Sequence, residues 1–172
     1  MLDSLKLTLL QVKVDSFPYL PYNHMTMKFE FSAGGVVYRS NEGVLEALVS
    51  QHSYHHGWVF PKGLIGDKEH LKGEQKEDTA VREVKEEVGA DGKIISPLTP
   101  VTYWYKFEDE KIKKTVYYFV MEYTGGDITQ HDHEMEAVEW LPFDQVLERL
   151  SYKSDKDVFT EARPIIEKLV NA

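Results

Sequence analysis

The chain contains no cysteine, which excludes disulfides, thiolate metal sites and cysteine nucleophiles. Cations are in deficit: 20 Lys and Arg stand against 29 Asp and Glu, a formal charge of −9. So acidic a chain is repelled by phosphate backbones and anionic headgroups, which disfavours nucleic acid and membrane as partners. Also missing are a basic N-terminal segment leading into an apolar core and any apolar run of transmembrane length, so a cytoplasmic location is expected. Repeats, low-complexity tracts and linkers are absent as well. What is there is 172 residues with 42% hydrophobic content, enough for one domain around one core.

The most informative stretch is residues 61–90, which leads from a loop into a helix. Asp78 or Thr79 can cap its first N–H groups, Val81, Val84 and Val88 recur at helical spacing, and Gly89 can end it, which predicts a helix over residues 78–88. At about 100° per residue the valines share one side and Glu83, Glu86 and Glu87 the opposite one, with Arg82 one turn from Glu86. Three carboxylates on one face repel one another. A divalent cation removes that conflict, and hard carboxylate oxygens select Mg²⁺ or Mn²⁺. By spacing alone, the same face also fits a solvated acidic surface.

The wider pattern narrows this. Trp58-Val59-Phe60-Pro61-Lys62-Gly63, then Glu74, then Arg82-Glu83-Val84-Lys85-Glu86-Glu87-Val88-Gly89 resembles the signature of the Nudix hydrolases, which cleave nucleoside diphosphates linked to another moiety. One departure is the ten-residue gap between Gly63 and Glu74, longer than the family's. Residues 64–72 therefore contain an inserted loop. The resemblance implies an α/β fold, a Nudix-type α/β/α sandwich with a mixed sheet between helices, over residues 29–172, after an N-terminal extension of residues 1–28.

Elsewhere the chain reads as strands and turns. Residues 28–39 form a predicted strand whose Ala33-Gly34-Gly35 admits the close approach of another backbone or a ligand. Residues 40–43 are a turn, and residues 44–51 its antiparallel partner. His52, His55 and His56 read as loop histidines rather than metal ligands. Residues 94–107 hold two apolar runs split by Pro97 and Pro100, the second placing Tyr103, Tyr105 and Phe107 on one face. Residues 112–123 and 137–141 are further strands. Helices are expected over residues 143–150 and 154–170, the latter with a Ser154/Asp157 capping box, an apolar face running to Leu169, and a kink at Pro164. In the N-terminal segment, Leu5, Leu7 and Leu9, then Leu10, Val12 and Val14, alternate as in an irregular strand, with a helix as the alternative, and residues 17–21 are extended. A brace, a lid and a dimerisation arm stay open as its role.

The family resemblance also implies a site. Glu83, Glu86 and Glu87 would hold Mg²⁺ or Mn²⁺ with the backbone carbonyl of Lys62, and Arg82 would orient a carboxylate. Glu134, in the acidic stretch before Glu139-Trp140, would be a further catalytic carboxylate, and the role of general base is divided between Glu83 and Glu134. The segment Lys113-Lys114-Thr115-Val116-Tyr117-Tyr118-Phe119, the lead-in and Leu150-Ser151-Tyr152 resemble the branch acting on dinucleoside and diphosphoinositol polyphosphates. Lys62, Lys114 and Arg39 are the candidate phosphate contacts. Tyr103 and Tyr105 are candidates to stack on a base, an interaction worth about 1–3 kcal/mol. An inositol pyrophosphate would need many converging cations, so diadenosine polyphosphates are the expected substrates. RNA 5′ ends, inositol pyrophosphates and a catalytically silent binding module are the alternatives. The expected partner is thus a small-molecule nucleotide, with a homodimer left open.

Overall fold

A computed structural model describes residues 27–66, 68–107 and 109–171. The apolar runs of residues 5–14 and the segment 17–21 lie outside the described residues. In chain order the strands and helices are β1 (Met27–Asn41), β2 (Val44–His52), β3 (Trp58–Val59), β4 (Lys62–Leu64), α1 (Lys76–Val88), β5 (Ala90–Pro97), β6 (Val101–Phe107), β7 (Glu110–Gly126), β8 (Met135–Pro142), α2 (Phe143–Arg149) and α3 (Lys153–Val170).

The expected hairpin forms because Glu42 and Gly43 both take positive φ, 50° and 83°. That is the turn whose twist matches two antiparallel strands. β1 then pairs in parallel with β7 from Met27↔Lys111 to Tyr38↔Glu122. Its other edge is shared, antiparallel, by β2 and β4. β8 and β3 pair with β2, while β5 and β6 pair with β7. Mixed pairing in one sheet is the expected arrangement.

Alternation decides which side chains meet which helix. Val36, Val116, Tyr118 and Val120 point to the face covered by Val146, Leu150, Val158, Phe159, Ala162 and Ile166 of the last two helices and the link between them. Val37, Phe119 and Met121 point to the other face, under Ala80, Val84 and Val88 of α1. The sheet therefore lies between helices, an α/β/α sandwich. Each fully buried Leu, Val or Phe contributes roughly 1.5–3 kcal/mol of transfer free energy.

Several local expectations change. α1 begins at Lys76, and its cap residue Gln75 makes no side-chain cap bond. Thr79 does not cap, because its hydroxyl is turned to the Glu74 carboxylate at 2.8 Å. Val81 is exposed, and Ala80 takes its place in the core. That rotation of the helix puts Glu83 and Glu87 inside, at 7% and 6% exposure, against the sheet edge rather than opposite the apolar side. In α3, Ser154 and Asp157 form no capping box; Asp157 pairs with Lys153 instead. Pro164 lies within a continuous helix, on its solvent side, where water can satisfy the carbonyl that the missing N–H leaves free. Leu169 is exposed beyond the apolar face.

Candidate active site

Two glycines let the lead-in reach the helix. A Cβ on Gly34 would lie 2.1 Å from the Pro61 carbonyl oxygen, and Gly35 N–H donates to that oxygen at 3.1 Å. β1 thus accepts β4 at a separation no side chain would allow. On β4 itself, a Cβ on Gly63 would meet the Glu83 carboxyl carbon at 2.0 Å. The residue next to it, Lys62, donates its main-chain N–H to Glu87 Oε2 at 2.8 Å.

Arg82 organises the outer side. Its Nε and Nη2 hold both oxygens of Glu74, at 2.9 and 3.0 Å, and its Nη1 reaches Glu83 at 2.6 Å and Glu86 at 3.1 Å. Such a bidentate pair fixes angle as well as distance. Hydrogen bonds from Arg82 hold the Glu74 carboxyl below the usual range, and Thr79 and the main chain of Gly66 add to this. The inserted loop therefore leaves Glu74 seated on the helix.

An open groove runs over these carboxylates. Glu83, Glu86 and Glu87 come from α1, Lys62 from β4, Lys114 from β7, and Asp132, His133 and Glu134 from the loop before β8. Burial pushes the Glu87 carboxyl up to about 8; Lys62 opposes the shift, and the charges of Glu83 and Glu134 reinforce it. Burial would lower Lys62, but Glu87 and Asp155 over-compensate and hold its ammonium above the ordinary value. Lys114 is pushed down by burial and by the neighbouring charge of Lys62. The groove therefore holds carboxylates crowded together and a pair of lysines crowded together.

The NUDIX domain family matches residues 28–162. The chain belongs to the Nudix family. It is 33% identical over 146 residues to MutT4, a mutator-type protein of Mycobacterium tuberculosis, covering 81% of this chain but only 57% of that protein. It is 28% identical over 122 residues to a Caenorhabditis elegans asymmetrical bis(5′-nucleosyl)-tetraphosphatase, covering 70% of this chain and 85% of that one. The crystal structure of a C. elegans Ap4A hydrolase binary complex superposes with a TM-score of 0.64 at 24% identity, over 81% of this chain and 98% of that one. At that identity the superposition speaks for the Nudix fold alone.

The Nudix helix and its lead-in thus gather Lys62, Glu83, Glu86, Glu87, Lys114 and Glu134 about one groove. Other expected residues go elsewhere. Arg39 donates to Glu46 at 2.7 Å and stacks on Trp140 at 4.2 Å. It pairs with β2 at Glu46, six positions from the groove residue His52, about 20 Å along a strand. Tyr103 is half-buried against the core under α2 and α3, and Tyr105 donates its hydroxyl to Glu30 at 2.7 Å. Neither ring lines the groove. Glu136, in the same acidic stretch as Glu134, meets His56 at 2.9 Å.

Two features escaped the sequence. Asp155 is buried and accepts the Phe60 N–H at 3.1 Å, so the first turn of α3 anchors the Nudix lead-in. Its identity as a helix-start residue hid that long-range contact. His52 stacks on His55 with ring centroids 4.3 Å apart, and His55 meets Tyr152 edge-on at 5.7 Å. The cluster of histidines was visible, but its joining to Tyr152 is tertiary.

The donor set fits a hard divalent cation. All the candidate side-chain ligands are carboxylate oxygens, and a cation beside Glu87 would offset both the burial that chiefly raises it and the smaller push of the Glu83 and Glu134 charges. Among the described residues, no three Asp, Glu or His side chains already converge on one point. Arg82 bridges Glu83 and Glu86 as their counter-charge.

Proposed function

We propose that this Nudix protein is a divalent-metal-dependent pyrophosphohydrolase acting on nucleoside diphosphate-linked compounds, with diadenosine polyphosphates as preferred substrates. The observation that carries the reading is the meeting of Glu83, Glu86 and Glu87 with Lys62 and Lys114 in one groove.

Bound Mg²⁺ or Mn²⁺ would supply charge neutralisation at the phosphates and acidify a water, held by Glu83, Glu86, Glu87 and the Lys62 carbonyl. The protein's own part begins with binding. Lys62 and Lys114 repel each other while the groove holds no anion, and a phosphate oxygen between them removes that cost. Water oxygen attacks phosphorus, the bridging P–O bond breaks with its electrons, and one water proton must go to a base. Glu134 suits that role better than Glu83. The Glu83 carboxylate is tied to Arg82, whereas the Glu134 carboxylate takes no hydrogen bond from a described residue and lines the groove. Arg82 holds Glu83 and Glu86 in place by hydrogen bonds and positions the ligand face.

Base contact is reassigned from Tyr103 and Tyr105 to the His52, His55 and Tyr152 corner, because His52 lines the groove. An inositol pyrophosphate fits less well, since the groove's four cations, Lys62, Lys68, Arg82 and Lys114, give no excess over its five acidic side chains Glu83, Glu86, Glu87, Asp132 and Glu134. The test is product analysis with Mg²⁺ on a panel of diadenosine tetraphosphate, ADP-ribose, a nucleoside triphosphate, 5′-triphosphorylated RNA and an inositol pyrophosphate. Hydrolysis led by the diadenosine compound is expected; no turnover on any member would favour a binding module.

A further inference from the structure

The inserted loop brings one more cation to the groove, and we infer that this residue, Lys68, sets how long a phosphate chain the site prefers. The inference rests on the hydrolase reading above and names a specificity-determining residue within it.

The loop leaves β4 with Ile65 N–H bonded to the Phe31 carbonyl at 2.9 Å, and returns with Glu74 N–H bonded to the Leu71 carbonyl at 2.9 Å. Between these pins, Gly66 takes φ +64° and Gly73 φ +85°, and residues 69–71 form a 3-10 turn closed by Leu71 N–H onto the Lys68 carbonyl. The side chain of Lys68 lines the groove. Its ammonium stands 3.9 Å from Glu86 Oε2, with 53% of the side chain exposed.

Position distinguishes it from the other two lysines. The charges of Lys62 and Lys114 act on the buried Glu87, whereas Lys68 sits at Glu86, the exposed member of the ligand face. A short phosphate chain seated at Lys62 and Lys114 ends before the rim. A longer chain continues past Glu86 and meets Lys68. The Lys68 to Glu86 contact is loose, and solvent weakens a pair so exposed, so the ammonium can transfer to a phosphate oxygen at little cost. Glu86 keeps Arg82 as a partner at 3.1 Å when Lys68 leaves.

The experiment is calorimetric binding of pyrophosphate and tripolyphosphate, each as its non-hydrolysable methylene-bridged analogue, to the full chain with Mg²⁺, for the wild type, Lys68→Ala and Lys68→Arg. The expected result is a Kd for tripolyphosphate raised about tenfold in Lys68→Ala, with pyrophosphate unchanged, and recovery in Lys68→Arg. Equal weakening of both ligands, or of neither, would overturn the inference. So would a rise in the Mg²⁺ concentration needed to bind either one, which would make Lys68 a support for the metal face. Because binding is read without turnover, failure of the hydrolase reading shows separately, as a panel on which nothing is cleaved.

Discussion

Lys62 and Glu87 meet through two different groups: the main-chain N–H of Lys62 donates to Glu87 Oε2 at 2.8 Å, and its ammonium opposes the burial that raises that carboxyl. One residue of the lead-in thus fixes the geometry of the deepest carboxylate and tempers its charge. The pairing ties β4 to α1, so the shape of the loop and the chemistry of the helix are one feature. Four predictions test the parts.

Gly63→Ala should keep the fold and lose the site. The new Cβ would press on the Glu83 carboxyl at 2.0 Å, so the carboxylate must move. Turnover should fall about a hundredfold or more, with a small drop in melting temperature.

Glu87→Gln keeps the volume and can still accept the Lys62 N–H, but removes a charged ligand. We expect loss of most activity with stability equal or higher at pH 8, because a buried charge has gone. Near-normal turnover would show that the metal face lies elsewhere.

The pH dependence of stability follows from the same residue. The Glu87 carboxyl is raised in the fold from 4.5 to about 8, so the folded state binds the proton more tightly. Its contribution to stability is fully present below about 4.5 and is lost as pH rises through about 8. Metal-free protein should therefore melt lower across that window, and Mg²⁺ should raise the melting temperature more at pH 8.5 than at pH 5.5. In Glu87→Gln the pH-dependent part of the Mg²⁺ effect should shrink.

Substrate contacts separate by position. Lys114→Ala should raise KM several-fold with a smaller change in kcat, since the proposed role of Lys114 is to bind phosphate and not to take a proton. Tyr152→Ala should weaken diadenosine substrates more than inorganic polyphosphate. Tyr105→Ala should affect the two alike, because its hydroxyl is spent on Glu30. Steady-state kinetics on both substrates decides this.

Much of the fold was legible because it is carried by local signals. Glu42-Gly43 announced the hairpin, Gly89 ended α1 in the left-handed region at φ 69°, and Gly34 marked the approach of another backbone. The strand over residues 112–123 was legible too, while the two cores that Val116 and Tyr118 on one side and Phe119 on the other enter are a finding of the fold. The helix glutamates were legible from spacing together with the family pattern. The burial of Glu83 and Glu87 was not, since helical spacing gives relative angles and leaves the rotation of the helix against the sheet undetermined. Thr79 looked like a cap because its residue type suits a helix start, while the acceptor that draws its hydroxyl away, Glu74 five positions earlier, is held in place by Arg82. Arg39 was assigned to the phosphates, and Tyr103 and Tyr105 to a base, by residue type, while strand register sends Arg39 to the far end of β2 and Tyr105 to Glu30. Asp155 reaches Phe60 across 95 positions, a distance no local pattern encodes.

The most direct test of the account is the steady-state rate on diadenosine tetraphosphate as Mg²⁺ is titrated, with products resolved by chromatography. The account predicts no turnover without metal and saturable turnover with it. The products should be a nucleoside triphosphate with a monophosphate, or two diphosphates, at a higher kcat/KM than for an inositol pyrophosphate. Turnover that persists in chelator, or faster cleavage of the inositol compound, would contradict it.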